Sequence, residues 1–188
     1  MSLLDIHLLG SPVLRQVTTR VESVTDELRQ LIDDMFETMY AAEGIGLAAP
    51  QVGRLERIAV IDVREDGPEP FVVINPEIVL AEGSARAEEG CLSMPDLYGE
   101  VDRSTRIVVR ALDREGARFE LEARDLLARC LQHEIDHLHG RLFIDYLGLL
   151  KRRAAMKKWD KFRQDDHATT RKITPREVAR HHHRDEEL

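Results

Sequence analysis

The stretch CLQHEIDHLHG, Cys130–Gly140, sets His133 and His137 four residues apart with Glu134 between them. On a helix this spacing puts both imidazoles on one face, a turn apart, where they can share one ion. The surrounding residues favour a helix. Leu127, Leu131, Ile135 and Leu138 recur at three- and four-residue intervals, and Gly140 stands where a C-terminal cap belongs. Glu134 fits hydrolytic chemistry, because a metal-bound water must lose a proton and a neighbouring carboxylate can take it. Two histidines do not complete such a site, since catalytic centres usually take three protein ligands and keep one position open.

The search for a third ligand runs along the whole chain. The longer pattern His-Glu-x-x-His-x-x-Gly-x-x-His fits at Gly140 and fails at Phe143. A later carboxylate is poorly placed, because the next glutamate after the motif is Glu177, in a polar C-terminal stretch. Cys130 lies a turn before His133, too far along the helix axis to share an ion with both histidines. His139 points away from the pair, and His7 and His167 sit in segments without site-like context. Cys91 remains, in EEGCLSMP (88–95), where a thiol in a glycine-containing loop can approach an ion and bind as thiolate.

Composition excludes several classes. The 188 residues suffice for one domain, and a net charge of −8 argues against bulk nucleic-acid binding or specific DNA recognition. No apolar run is long enough for a membrane helix, and the N-terminal MSLLDIHLLGSP lacks a signal-peptide layout. Two cysteines do not make a secreted disulfide scaffold, so a reducing, cytoplasmic setting is expected.

The remaining pattern predicts an α+β fold. SVTDELRQLIDDMFETMYAAEG carries Leu28, Leu31, Ile32, Met35, Phe36 and Met39 at helical spacing, with Thr25 or Ser23 as cap and Gly44 as terminator. RIAVIDV and FVVINPEIVL read as strands, and STRIVVRALDREGARFELEA as a hairpin around DREG. A last helix is expected over about 148–164, followed by a polar, disordered tail over 166–188. Mostly antiparallel strands should therefore pack around a central metal-binding helix, with one helix before it and one after, in a single domain over 1–165.

Three segments together resemble the peptide deformylases: GIGLAAPQ (44–51), EGCLS (89–93) and HEIDH (133–137). SPVLRQV and PDLYGEVDR add to the resemblance, which covers roughly residues 3–165. It implies an enzyme that removes the formyl group from the N-terminal formyl-methionine of nascent polypeptides. It implies that Cys91, His133 and His137 bind one divalent metal, usually Fe²⁺ in the cell, with Zn²⁺, Ni²⁺ or Co²⁺ as replacements. Glu134 would be general base and acid, and Gln51 with the Leu92 N–H would stabilise the oxyanion. Gly44, Ile45, Gly46, Glu89, Gly90, Leu126 and Cys130 would form the substrate-binding wall, Ile45 and Gly46 pairing with the substrate strand. Glu89 and Arg103 would pair at the surface to hold the Cys91 loop, and the Arg129 charge would reach water from the pocket rim. Tyr98 stands where some relatives have arginine. KRRAAMKKWDKFR (151–163) has seven Lys or Arg against one Asp. Relatives with such a C-terminal helix dock beside the ribosomal tunnel exit, so the resemblance also implies a ribosome contact. A metallopeptidase would need a further carboxylate or histidine after the motif. A non-enzymatic binder would lack Glu134, Gln51 or Cys91.

Overall fold

Thr25 starts the first helix by accepting the Leu28 N–H on its hydroxyl at 3.2 Å, with Asp26 and Glu27 in the first turn. In the computed structural model, which describes residues 2–64, 68–163 and 168–174, this helix α1 spans Asp26–Ala41. It buries Leu28, Leu31, Ile32, Met35 and Met39, while Phe36 is partly buried. Gly44 does not end it. Glu43 takes the left-handed conformation at φ 58, and the Gly44 N–H returns to the Met39 carbonyl at 2.9 Å.

The strands in chain order are β1 (Ile6–His7), β2 (Gly46–Ala48), β3 (Ile58–Ile61), β4 (Phe71–Glu82), β5 (Ala85–Cys91), β6 (Met94–Arg103), β7 (Arg106–Leu112), β8 (Arg118–Arg124) and β9 (Thr170–Arg171). An antiparallel five-stranded sheet has the order β2-β3-β4-β7-β8, which leaves β2 at one edge. All four residues of β3 are buried because both faces are covered. Ile58 and Val60 pack with α1, whereas Ala59 and Ile61 pack with the His-Glu-x-x-His helix α2 (Asp125–Leu138). The expected hairpin is β7–β8. A second hairpin, β5–β6, replaces the expected loop over 88–95. Cys91 ends β5 and pairs with Met94 across Leu92 and Ser93, after a register shift at Glu89.

Gly140 caps α2 as expected, at φ +69, and a Cβ there would lie 2.6 Å from the Arg15 carbonyl. A 3₁₀ turn at Phe143–Tyr146 leads to α3 (Leu149–Phe162). Trp159 and Ala155 of α3 join Leu14, Met94, Leu97 and Phe143 in one buried cluster. Leu149 and Leu150 remain 88% and 84% exposed.

The tail expected from residue 166 is corrected in part. Residues 168–174 return to the body: β9 pairs antiparallel with β1, and Leu8 N–H donates to the Thr169 carbonyl at 2.8 Å. Ile173 is buried against Ile6 and Ala41, an apolar anchor that the surrounding polar composition concealed. Residues 166–167, His167 included, and 175–188 of that expected tail lie outside the described residues.

Gly140→Ala should cost about 1–3 kcal/mol for the left-handed backbone alone. The urea midpoint should fall at an unchanged slope. An unaltered midpoint would contradict the tight approach to Arg15.

Candidate metal centre

One turn of α2 separates His133 from His137, and both Nε2 atoms turn toward the tip of the β5–β6 hairpin. His133 Nε2 and His137 Nε2 lie 3.3 Å apart, and Cys91 Sγ lies 3.3 Å from His137 Nε2. All three donor atoms fall within 4.8 Å of one another. A tetrahedral ion with ordinary zinc-type bond lengths separates two nitrogens by about 3.3 Å and a sulfur from a nitrogen by about 3.6 Å. The donor set therefore fits a metal ion without rearrangement. Burial pushes the His137 pKa well below its usual value, which favours the neutral imidazole a metal needs at that position. The His133 pKa moves the other way: burial lowers it, but the Cys91 and Glu89 contacts outweigh that and raise it.

His133 is held from behind by Glu89, whose Oε2 meets its Nδ1 at 3.0 Å. This contact fixes which ring nitrogen faces the hairpin tip. The expected surface pair between Glu89 and Arg103 is instead buried, with side chains only 4% and 5% exposed. Arg103 Nε and Nη2 donate to the two Glu89 oxygens at 2.9 and 3.1 Å, and its Nη1 donates to Asp136. Tyr146 donates to the other Asp136 oxygen at 2.9 Å, and its ring lies beneath the Arg103 guanidinium. Burial alone would raise the Glu89 pKa, but the His133 and Arg103 hydrogen bonds and the Arg103 charge bring it to about 2. The Arg129 charge is also largely withdrawn from water, its side chain 13% exposed. It turns inward to Glu89 Oε1 at 2.7 Å.

Glu134 lies beside the donor set, 4% exposed, and its Oε2 has no hydrogen-bond partner among the described residues. Burial lifts its carboxyl to about 7, the Glu89 charge adding while His133 and Arg103 oppose. Gly46 packs directly on this carboxylate: a Cβ there would lie 2.5 Å from Glu134 Oε1 and 2.8 Å from Cys130 Sγ. Cys130 itself donates to the Ile45 carbonyl at 3.5 Å and is pushed to a high pKa by burial. It is therefore a neutral wall. Gln51 is almost wholly buried and has a fixed amide orientation. Its Oε1 accepts the Ala48 N–H at 2.8 Å, which aims Nε2 at Cys91 Sγ (3.5 Å) and Ser93 Oγ (3.3 Å).

These groups open onto a cleft of about 540 Å³. Every residue expected to be catalytic, substrate-binding or metal-ligating lines it except His137, which lies behind at 1% exposure; Arg103 lies behind Glu89 and does not line it. Gly44, Ile45, Gly90, Leu92 and Leu126 stand on its walls, Leu126 still 41% exposed. Arg171 of β9 also lines the cleft and was missed, because it belongs to the stretch read as tail.

An antiparallel α+β frame that sets a cysteine against a His-Glu-x-x-His helix is the frame of a metallohydrolase. The profile of the family described as polypeptide deformylase matches residues 3–153. A peptide deformylase of Alkalilimnicola ehrlichii is 54% identical over 162 residues, covering 86% of this chain and 91% of that protein. A solved peptide deformylase from Legionella pneumophila superposes with TM-score 0.82 at 48% identity, covering 87% of this chain and 96% of that one. One from Synechococcus elongatus, in complex with actinonin, gives 0.79 at 46% identity over 82% and 86% of the two chains. The chain belongs to the polypeptide deformylase family, metalloenzymes that remove the N-formyl group from newly made polypeptides.

Gly46→Ala should displace the Glu134 carboxylate and lower kcat/KM on a formyl peptide by about 10²-fold, the order expected of a 1 Å misplacement. The far-ultraviolet circular dichroism should not change. Full activity would show that the Gly46–Glu134 approach is unimportant.

Proposed function

We propose that Cys91, His133 and His137 hold one divalent metal, Fe²⁺ in the cell with Zn²⁺, Ni²⁺ or Co²⁺ as replacements, and that the site removes formate from N-formylmethionyl polypeptides. The carrying observation is the pair of 3.3 Å separations that link Cys91 Sγ and His133 Nε2 to His137 Nε2, all three donors within 4.8 Å, beside a buried Glu134 oxygen without a partner among the described residues. A metal held there would lower the pKa of water and polarise the formyl carbonyl. Glu134 would accept a proton from the attacking water and pass it to the leaving amine. Its lifted pKa suits both halves of that task. Gln51 Nε2 and the Leu92 N–H would donate to the formyl oxygen as charge develops on it. Losing one such donor costs about 10²–10³ in rate in known cases.

The substrate reading follows from the walls. β2 pairs with β3 on one side only, so its other edge can take an extended peptide. Ile45 and Gly46 would supply that pairing. Gly44 permits close approach, since a Cβ there would lie 2.8 Å from the Leu92 side chain. Leu126, Cys130 and the flank of His133 would receive the methionine side chain, with Glu89 and Gly90 behind them. The protein would work in the cytoplasm. No helix of the described residues is long and apolar enough to cross a membrane.

Hydrolysis of formyl-Met-Ala-Ser against acetyl-Met-Ala-Ser, with metal analysis of the same sample, tests the activity. Formate release from the first alone is expected, and equal cleavage of both would contradict it. Cys91→Ala should lose tightly bound metal and turnover together. Glu134→Ala should keep a full metal equivalent and lose several orders of magnitude in turnover. Wild-type turnover in metal-loaded Glu134→Ala would remove Glu134 from the chemistry.

A contact with the ribosome through α3 is part of the same reading. Arg153, Lys157 and Lys161 are exposed on α3, next to the bare Leu149 and Leu150. A local basic stripe can engage RNA despite a negative net charge. Arg153, Lys157 and Lys161 all changed to Glu should weaken co-sedimentation with ribosomes, as raised salt does, and leave formyl-peptide turnover intact. Undiminished co-sedimentation at low salt would make the stripe an ordinary solvated face.

A further inference from the structure

Arg129 was expected to send its charge into water, yet its side chain is only 13% exposed. Its guanidinium is spent on the β5–β6 hairpin. Nη1 donates to Glu89 Oε1 at 2.7 Å and to the Val101 carbonyl at 3.0 Å, and Nη2 donates to the Ala85 carbonyl at 2.7 Å. One side chain of α2 thus grips the start of β5, its buried carboxylate and the opposing strand β6. Asp136, two helical turns further along α2, grips Arg103 of β6. His133 lies between these two attachments, and Cys91 lies at the end of the strand they hold.

We propose that Arg129 is a positioning residue that sets the approach of the β5–β6 hairpin to α2 and thereby keeps Cys91 in register with the histidine pair. This rests on the reading of Cys91, His133 and His137 as metal ligands. Two arguments support it. The first is geometric: Arg129 bonds two backbone carbonyls on different strands, which a planar guanidinium can span and a lysine cannot. The second is charge balance. Glu89 and Asp136 are two buried carboxylates, and Arg103 is the one guanidinium they share. Arg129, 13% exposed, supplies the second largely enclosed cation, with Arg141 reaching Asp136 only from an exposed position. Without Arg129, an excess negative charge would sit behind His133, and Glu89 would lose one of the contacts that fix its plane.

The test uses the metal-loaded full chain. Arg129→Met keeps an apolar stem without the guanidinium, and Arg129→Lys keeps a point charge without the fork. Metal release to a chelator, the kcat and KM for formyl-Met-Ala-Ser, and thermal unfolding are measured for each. Arg129→Met should release metal about 10–100-fold faster and lose kcat by a similar factor, the usual range for a residue that orients a ligand. KM should change far less. Arg129→Lys should fall between, and it decides the matter if Arg129→Met does not fold. With Glu89→Gln the effects should be non-additive, because Arg129 acts through Glu89. Wild-type metal release and kcat with only KM altered would overturn the proposal and leave Arg129 as a rim residue. Failure of the underlying reading looks different: Cys91→Ala would then hold metal as tightly as the native chain, whatever Arg129 does.

Discussion

The buried carboxylate of Glu89 is the contact on which the rest of the site depends. One oxygen receives Arg103 and Arg129, and the other receives Arg103 and the His133 ring. A buried ion pair often gains little stability over well-packed apolar residues, whereas removing one partner costs about 3–5 kcal/mol. What Glu89 gains here is position. It joins a hairpin that carries a thiol to a helix that carries two imidazoles, and it fixes the orientation of one of those rings. The hairpin is outside the five-stranded sheet, so few main-chain bonds place it. Side-chain charge, with the apolar packing of Met94, Leu97 and Val101, does that work instead.

The second constraint is space. α2 is packed against β2 and β3, and the Glu134 carboxylate points at the edge strand β2. A Cβ at position 46 would press on that carboxylate, and one at 44 would push the Leu92 side chain aside. The same two glycines thin the strand edge where an extended substrate would lie. Gln51 closes the arrangement from a short 3₁₀ turn, its amide oriented by the Ala48 N–H. The proposed catalytic group, donor and binding edge are thus placed by backbone contacts rather than by long flexible side chains.

Much of this was legible in the sequence. The caps and stripes of α1 and α2, the all-apolar β3 and the alternating β7–β8 hairpin each declare themselves locally. Cys91 could be singled out because the other third ligands considered failed on spacing, direction or context. The β5–β6 hairpin was hidden for a physical reason: ARAEEGC carries no large apolar residue and buries only Glu89 outright, so it shows no apolar alternation. The burial of Glu89, Arg103 and Arg129 was hidden too. Three charges read singly belong on a surface, and only their mutual pairing lets them leave water. β9 is a two-residue strand in polar surroundings, and Ile173 alone hints that it packs.

X-ray absorption at the metal edge of the loaded protein reads the ligand set itself. A zinc-loaded sample should show one sulfur at about 2.3 Å and two imidazole nitrogens at about 2.0–2.1 Å. In Cys91→Ser the sulfur shell should disappear while the imidazoles remain. A first shell with no sulfur, or one whose sulfur survives in Cys91→Ser, would contradict the claim that the hairpin delivers Cys91 to the histidine pair.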